Sequence, residues 1–428
     1  MNRSGPRSPA GYSQRYYADR PPVRPRRRRR RTVPAAVFVI LAGGVIAFAI
    51  GFMVFWALGS GIAGGKGFAL RWPWSKPAVA TQEIVDRYSQ LDFLKLPRTV
   101  DLTTFRDLSY VPVKGIYVTS WTAGIDDYMN SFIGLCDRTE LNAMVIDVKD
   151  ATGYISYQPD VALAQDMKLW EKRIPDLEGI LETLREHRIL PIARIVCFND
   201  PLLSQKRQDL AVQHKDGGVW KDRYGASYTN PYSHEVWEYL VQVAEDAVRR
   251  GFREIQFDYV RFPTDGVIAD AVYPDKSGLP EDAIADFLQY ARDRIHPLGA
   301  WVSADVFGHA LDQKGDAGIG QRIEKICQSV DIVCPMIYPS HYESGSYGID
   351  NPDVNPYDTI TYATKDATRR FEGNGALYRP WLQDFPYPTP YGVTEVKAQI
   401  EAVEQQGYTE WILWDANLKY TEGALRKQ

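Results

Sequence analysis

The chain has 428 residues, 45% of them hydrophobic, enough for one large domain with appendages. Its formal charge of −4 is unevenly placed: residues 1–31 hold eleven Arg against one Asp, a net +10, which leaves −14 for the remainder. An acidic body argues against a nucleic-acid-binding domain, because phosphate contacts need clustered Lys and Arg on the binding surface itself.

Residues 1–32 mix Pro, Arg, Ser and Tyr and include an unbroken Arg run at 26–31. Such a composition buries no core and reads as a disordered basic tail. No charged residue occurs from 33 to 58, and at ~1.5 Å per residue a helix of that length exceeds the ~30 Å hydrocarbon thickness of a bilayer. The span therefore predicts a single transmembrane helix. A cleavable signal peptide is the rival reading, but its apolar region is usually about 7–15 residues long. The polybasic flank keeps the N-terminus cytoplasmic and sends the C-terminal domain across the membrane, with the lipid bilayer as partner of the helix. Residues 59–111 read as a linker with a short helical segment.

From 112 to 428, strand-like and helix-like segments alternate. Strands are expected at 115–120, 143–148, 190–196, 254–260, 301–306, 332–338, 379–384 and 411–415, and helices at 176–187, 234–250, 281–295, 318–327, 357–371 and 393–406. Near-continuous apolar strands separated by helices describe an α/β fold of the (β/α)8 TIM-barrel type. An open doubly wound sheet is the alternative. It would carry a glycine-rich phosphate loop after its first strand, and neither GxGxxG nor GxxxxGK[ST] occurs from residue 112 onward.

Barrel sites lie at the C-terminal strand ends, and carboxylates recur there. Alternation along a strand puts Gln256 with Asp258 on one face, Ser303 with Asp305, and Asp147 with Lys149. Inward polar groups suit a hydroxyl-rich substrate, a polysaccharide or oligosaccharide. Each buried carboxylate needs a partner, and Arg194, Lys149 and Arg261 are available. Asp258 and Asp305 stand on neighbouring strands and form the expected catalytic pair: one carboxyl protonates the leaving oxygen, the other attacks the sugar or activates water. Retaining and inverting spacings are both open to them. Asp147, Lys149, Arg194, Arg261, Tyr338, His341, Gln383, Asp384, Trp414 and Asp415 are the expected substrate-binding residues. Aromatic side chains cluster near the same ends, at Trp121, Tyr154, Tyr259, Tyr338, Tyr342, Trp381 and Trp414, as sugar stacking requires. The loop 217–228, with Trp220 and Tyr224, is expected to wall one side of the cleft.

Metal chemistry has little to stand on. There are six His and no HExxH: His234-Glu235 is followed by Val-Trp-Glu, and Ser233 reads instead as a helix N-cap. The four cysteines, Cys136, Cys197, Cys327 and Cys334, lack CxxC spacing and read as small buried hydrophobes. Neither metal nor cofactor is expected.

The segments Lys114-Gly115-Ile116-Tyr117, Ile146-Asp147-Val148-Lys149-Asp150, Phe257-Asp258-Tyr259-Val260-Arg261-Phe262-Pro263, Pro335-Met336-Ile337-Tyr338-Pro339-Ser340-His341-Tyr342 and Trp381-Leu382-Gln383-Asp384-Phe385 together resemble a bacterial family of glycoside-hydrolase-like domains. The resemblance covers roughly 112–420, and the family is regarded as distantly related to the α-amylase and α-galactosidase barrels. It implies a nucleophilic Asp at the end of strand four, which is Asp258. The related amylases place a Glu acid/base after strand five, where this chain offers Asp305. Two functions follow as expectations: a glycosidase acting on an envelope or extracellular polysaccharide, or a carbohydrate-binding barrel without catalysis.

Overall fold

The computed structural model describes residues 112–428. The basic tail at 1–32, the expected transmembrane helix at 33–58 and the linker at 59–111 lie outside the described residues. No helix among the described residues is long and apolar enough to cross a membrane.

Eight short apolar runs form eight parallel strands: β1 (Lys114–Val118), β2 (Ala143–Lys149), β3 (Leu190–Val196), β4 (Glu254–Asp258), β5 (Trp301–Phe307), β6 (Ile332–Met336), β7 (Trp381–Gln383) and β8 (Trp411–Trp414). Each pairs with the next, β6 meets β7 at Met336 and Trp381, and β8 returns to β1 through Lys114↔Trp411, Gly115↔Ile412 and Ile116↔Leu413. The sheet is a closed parallel barrel without free edges.

Seven helices follow β1 to β7 in turn: α1 (Asp126–Arg138), α2 (Leu177–Glu186), α3 (His234–Arg250), α4 (Pro280–Ile295), α5 (Ile323–Ser329), α6 (Pro356–Phe371) and α7 (Val393–Gln405). A 3₁₀ turn, Glu422–Ala424, follows β8. Sequence chemistry explains the ends of α3. Ser233 accepts from the Val236 N–H, Glu235 lies in the first turn, Arg249 and Arg250 lie in the last, and Gly251 closes the helix at φ 127°. The helix expected at 318–327 begins later, at Ile323. Asp316 accepts backbone N–H bonds from Gly318 and Gly320, which holds that stretch in a turn.

Alternation divides the apolar residues into two cores. Ile116, Met144, Ile146, Ile195, Ile255, Phe257, Val302, Ala304 and Leu413 face the helices. Val113, Tyr117, Val145, Ile192, Cys334, Trp381 and Ile412 fill the barrel. Near the N-terminal end of the barrel the filling turns ionic: Arg379 bridges Glu254 and Glu410 at 2.8 Å each, and Ser303 donates to Glu254 at 2.5 Å. All three charged side chains are buried, so each relies on the others to offset lost hydration.

Two strand expectations are corrected. β4 stops at Asp258 rather than 260, because Tyr259 takes a left-handed φ of 49° and turns the chain out of the sheet. In β2 the register with β3 jumps, Asp147 facing Arg194 and Lys149 facing Ile195. Val148 is the extra residue of this bulge. Lys149 therefore does not share the inward face of Asp147.

Candidate functional site

Four charged side chains meet inside the C-terminal mouth of the barrel, one from each of β2 to β5. Arg194 on β3 stands between two carboxylates. Its Nη1 lies 2.6 Å from Asp147 Oδ1, its Nε lies 3.0 Å from Asp258 Oδ2, and Nη2 also reaches that Asp258 oxygen. Tyr117 on β1 donates its hydroxyl to Asp147 Oδ2 at 2.6 Å, and the Arg194 guanidinium sits 5.6 Å above the Tyr117 ring. Asp258 Oδ1 accepts the backbone N–H of Tyr259 at 2.6 Å, an arrangement that the left-handed turn at Tyr259 makes possible. On β5, Asp305 Oδ1 accepts from the Trp381 indole N–H at 2.7 Å.

These groups perturb one another. Burial raises the Asp147 carboxyl above its ordinary range, with Arg194 opposing the shift. Burial works against the Arg194 charge, yet the facing Asp258 and Asp147 outweigh it and raise its pKa further. Asp305 is pushed well above the usual carboxylate range, first by burial and then by the neighbouring Asp258 charge. The Trp381 hydrogen bond opposes that rise without cancelling it.

An aromatic wall borders the charged cluster. Trp414 on β8 lies 5.8 Å from Tyr338 and 6.4 Å from Tyr117, and it meets Phe385 edge to face at 5.1 Å. His341 packs edge to face on Tyr338 at 5.1 Å. The structure thus brings together Asp258, Asp305, Asp147, Arg194, Tyr338, His341 and Trp414.

Five expected site residues are held elsewhere. Lys149, turned by the bulge, is fully buried and ion-pairs with Asp200 at 2.9 Å while donating to the Val196 carbonyl at 2.7 Å. Arg261 is buried with its guanidinium 4.6 Å above the Phe307 ring and donates to the Phe262 carbonyl. Gln383 accepts from the Ser340 backbone and hydroxyl and donates to the Phe385 carbonyl, tying β7 to the loop after β6. Asp384 accepts two bonds from Thr421, and Asp415 accepts the N–H groups of Asn417 and Lys419. These carboxyls fasten the C-terminal segment. Trp220, expected on a cleft wall, is also buried; it packs on Tyr228 and donates to the Val267 carbonyl.

Two members of the cluster escaped the expected site set. Tyr117 is inward by simple alternation from Gly115, but its tie to Asp147 joins positions thirty residues apart. Trp381 stood among the aromatics without its role as donor to Asp305.

Residues 115–420 match the family model described as "Putative glycosyl hydrolase domain". The chain belongs to this family. No curated protein matches it. Among solved structures, a hypothetical protein from Ruminiclostridium thermocellum ATCC 27405 is 37% identical over 45% of this chain and 97% of its own, with a TM-score of 0.42. The PgaB (BpsB) glycoside hydrolase domain from Bordetella bronchiseptica is 10% identical, covers 72% of this chain and 94% of its own, and has a TM-score of 0.54, a likeness of fold. The spore cortex-lytic enzyme SleL from Bacillus megaterium QM B1551 is 12% identical over 73% of this chain and 72% of its own, with a TM-score of 0.44. This glycoside hydrolase-like barrel thus shares its architecture with a glycoside hydrolase domain.

Proposed function

We propose that the protein is a membrane-anchored glycoside hydrolase that acts outside the cytoplasm on a cell-envelope or extracellular polysaccharide. One observation carries the reading: two carboxyls on adjacent strands differ in electrostatic surroundings. Asp258 is ion-paired with Arg194, whereas Asp305 beside it is buried and pushed toward its protonated form. A carboxyl biased toward its protonated form beside an ion-paired carboxylate is the division of labour that glycoside cleavage requires. Asp305 protonates the departing glycosidic oxygen. Asp258 attacks the anomeric carbon or takes a proton from the attacking water. Arg194 and Tyr117 keep Asp147 and Asp258 oriented, and Trp414 with Tyr338 offers apolar ring faces to sugar C–H groups.

The anchor rests on the charge-free span at 33–58 directly after the Arg run. Recovery of the full chain in the membrane fraction, with the barrel open to protease added from outside, is the expected result. Recovery as soluble cytoplasmic protein contradicts it.

The catalytic reading is tested by reducing-end release from a panel of cell-wall and extracellular polysaccharides by the detergent-solubilised full chain. Asp258→Asn and Asp305→Asn serve as comparators. Release by the wild type that both variants lose is the expected outcome. A non-catalytic carbohydrate-binding barrel is the second reading, favoured by one detail: both Asp258 oxygens are already engaged, by Arg194 and by the Tyr259 N–H. Binding to a polymer without release, unchanged in Asp258→Asn, would establish it.

A further inference from the structure

Of the tryptophans among the described residues, Trp121 stands exposed, at 42%. It follows β1 directly, in the helical turn Ser120–Ala123 that leads to α1. An indole left in water forgoes burial that would otherwise be favourable, so its setting is informative.

One face of the ring is covered. The Arg173 guanidinium lies 4.7 Å from the Trp121 centroid and 5.5 Å from that of Tyr154. This cation is itself immobile: its side chain is buried, and it contacts Asp150 at 2.6 Å, Glu171 at 3.0 Å and the Thr152 hydroxyl at 3.1 Å. The backbone below is fixed as well. Thr119 Oγ1 accepts the Thr122 N–H, and Gly124 packs so closely on Arg173 that an added Cβ would lie 1.9 Å from the Arg173 carbonyl oxygen. A ring supported on one face and held at its base presents the other face flat to solvent.

The platform adjoins the site. Asp150, the Arg173 partner, directly follows β2, and its charge is felt by both Asp147 and Tyr117 in the mouth. Arg173 Nη1 also reaches the Ser120 hydroxyl at 3.5 Å. A flat, uncharged ring face beside a mouth lined by hydroxyl-binding groups matches the C–H face of a pyranose ring.

We infer that Trp121, backed by Arg173, is a sugar-stacking subsite that binds a unit of a polysaccharide chain outside the barrel mouth. The substrate is then a polymer extending past β1, rather than a lone terminal sugar held in the mouth. The inference rests on the carbohydrate reading of the site, and its readout is binding, independent of cleavage.

The test is native electrophoresis of the detergent-solubilised full chain through gels containing amylose, cellulose derivatives, xylan, dextran or soluble chitin derivatives, each as a separate probe. Asp258→Asn, Trp121→Ala and Trp121→Phe are run beside the wild type. The expected result is retardation of the wild type and Asp258→Asn by at least one polymer, weakened about tenfold in Trp121→Ala and largely restored in Trp121→Phe. Equal retardation of Trp121→Ala and wild type overturns the subsite, as does no retardation by any polymer. If retardation depends on Trp121 but no polymer is cleaved, the subsite stands and the hydrolase reading fails. Cleavage with retardation indifferent to Trp121 gives the reverse. Unchanged near-ultraviolet circular dichroism after allowance for one indole, with an unchanged Tm, shows that Trp121→Ala is folded.

Discussion

Trp381 donates its indole N–H to Asp305 Oδ1 over 2.7 Å, from β7 to β5, across the interior of the barrel. The bond occupies one carboxyl oxygen and leaves Oδ2 to carry the acidic proton. It also pulls the Asp305 pKa down against the larger upward push of burial and Asp258. Trp381→Phe removes the donor, so the pKa of the acid rises further. The alkaline limb of the kcat/KM profile should move to higher pH, with a smaller kcat from the loosened carboxyl. An unmoved alkaline limb would exclude Asp305 as the group that sets it.

Arg194 is the counter-charge for both Asp147 and Asp258. Arg194→Met leaves two buried carboxyls facing each other, a change expected to destabilise the fold by ~3–5 kcal/mol near neutrality. Without the cation nothing opposes the upward push of burial on the Asp147 carboxyl, so the deficit should shrink as pH falls toward 4. Thermal unfolding of wild type and variant from pH 4 to 8 measures this. A deficit that stays constant with pH would mean that lost packing, not unpaired charge, is responsible.

Far from the mouth, Arg379 holds Glu254 and Glu410 inside the barrel. Arg379→Met strands two buried acids and should cost about 3–5 kcal/mol in denaturant unfolding. Replacing all three together with apolar residues of similar volume should recover most of that loss. Polymer binding at a temperature where each variant is folded should not change, because no member of this triad belongs to the site cluster.

Asp384 offers a pH signature unrelated to catalysis. Burial and the Asp415 charge push its carboxyl up to about 7, against two hydrogen bonds from Thr421. Its folded pKa lies above the unfolded value, so the stability it contributes is complete below pH ~4 and is lost as pH rises through about 7. Asp384→Asn keeps an acceptor for Thr421 without the ionisation. The Tm of the variant relative to wild type should therefore climb from pH 4 to 7 and level off above. A flat difference would show that the carboxyl is not buried as described.

Local pattern was enough for the barrel and for bringing Asp258 and Asp305 to neighbouring positions in its mouth. Apolar strands of five to seven residues alternating with amphipathic helices leave few solutions other than a closed parallel barrel, and side chains on an extended strand must alternate. Asp258 and Asp305 could be placed inward from Gln256 and Ser303 alone. Where one residue broke the period, the reading broke with it: the bulge at Val148 turned Lys149 to Asp200. Nothing in the composition of β2 announces a bulge, because it arises from how β2 fits β3.

The remaining assignments depended on partners outside the strands themselves, some distant in the chain and some in the turns that follow. Asp384, Asp415 and Gln383 carry the same chemistry as the residues of the mouth cluster, and what separates them is the identity of their partners: Thr421, the turn after β8 and Ser340 rather than Arg194, Tyr117 and Trp381. The ties of Asp305 to Trp381, Glu254 to Arg379 and Tyr117 to Asp147 likewise join residues 76, 125 and 30 positions apart. Period and polarity by themselves placed Asp147, Asp258 and Asp305 inside the barrel and misplaced Lys149 at the bulge. Which side chains share a partner in the mouth and which tie one segment of the chain to another was decided by closure of the barrel, because closure brings Arg194, Trp381 and Thr421 to the oxygens of residues distant in the chain.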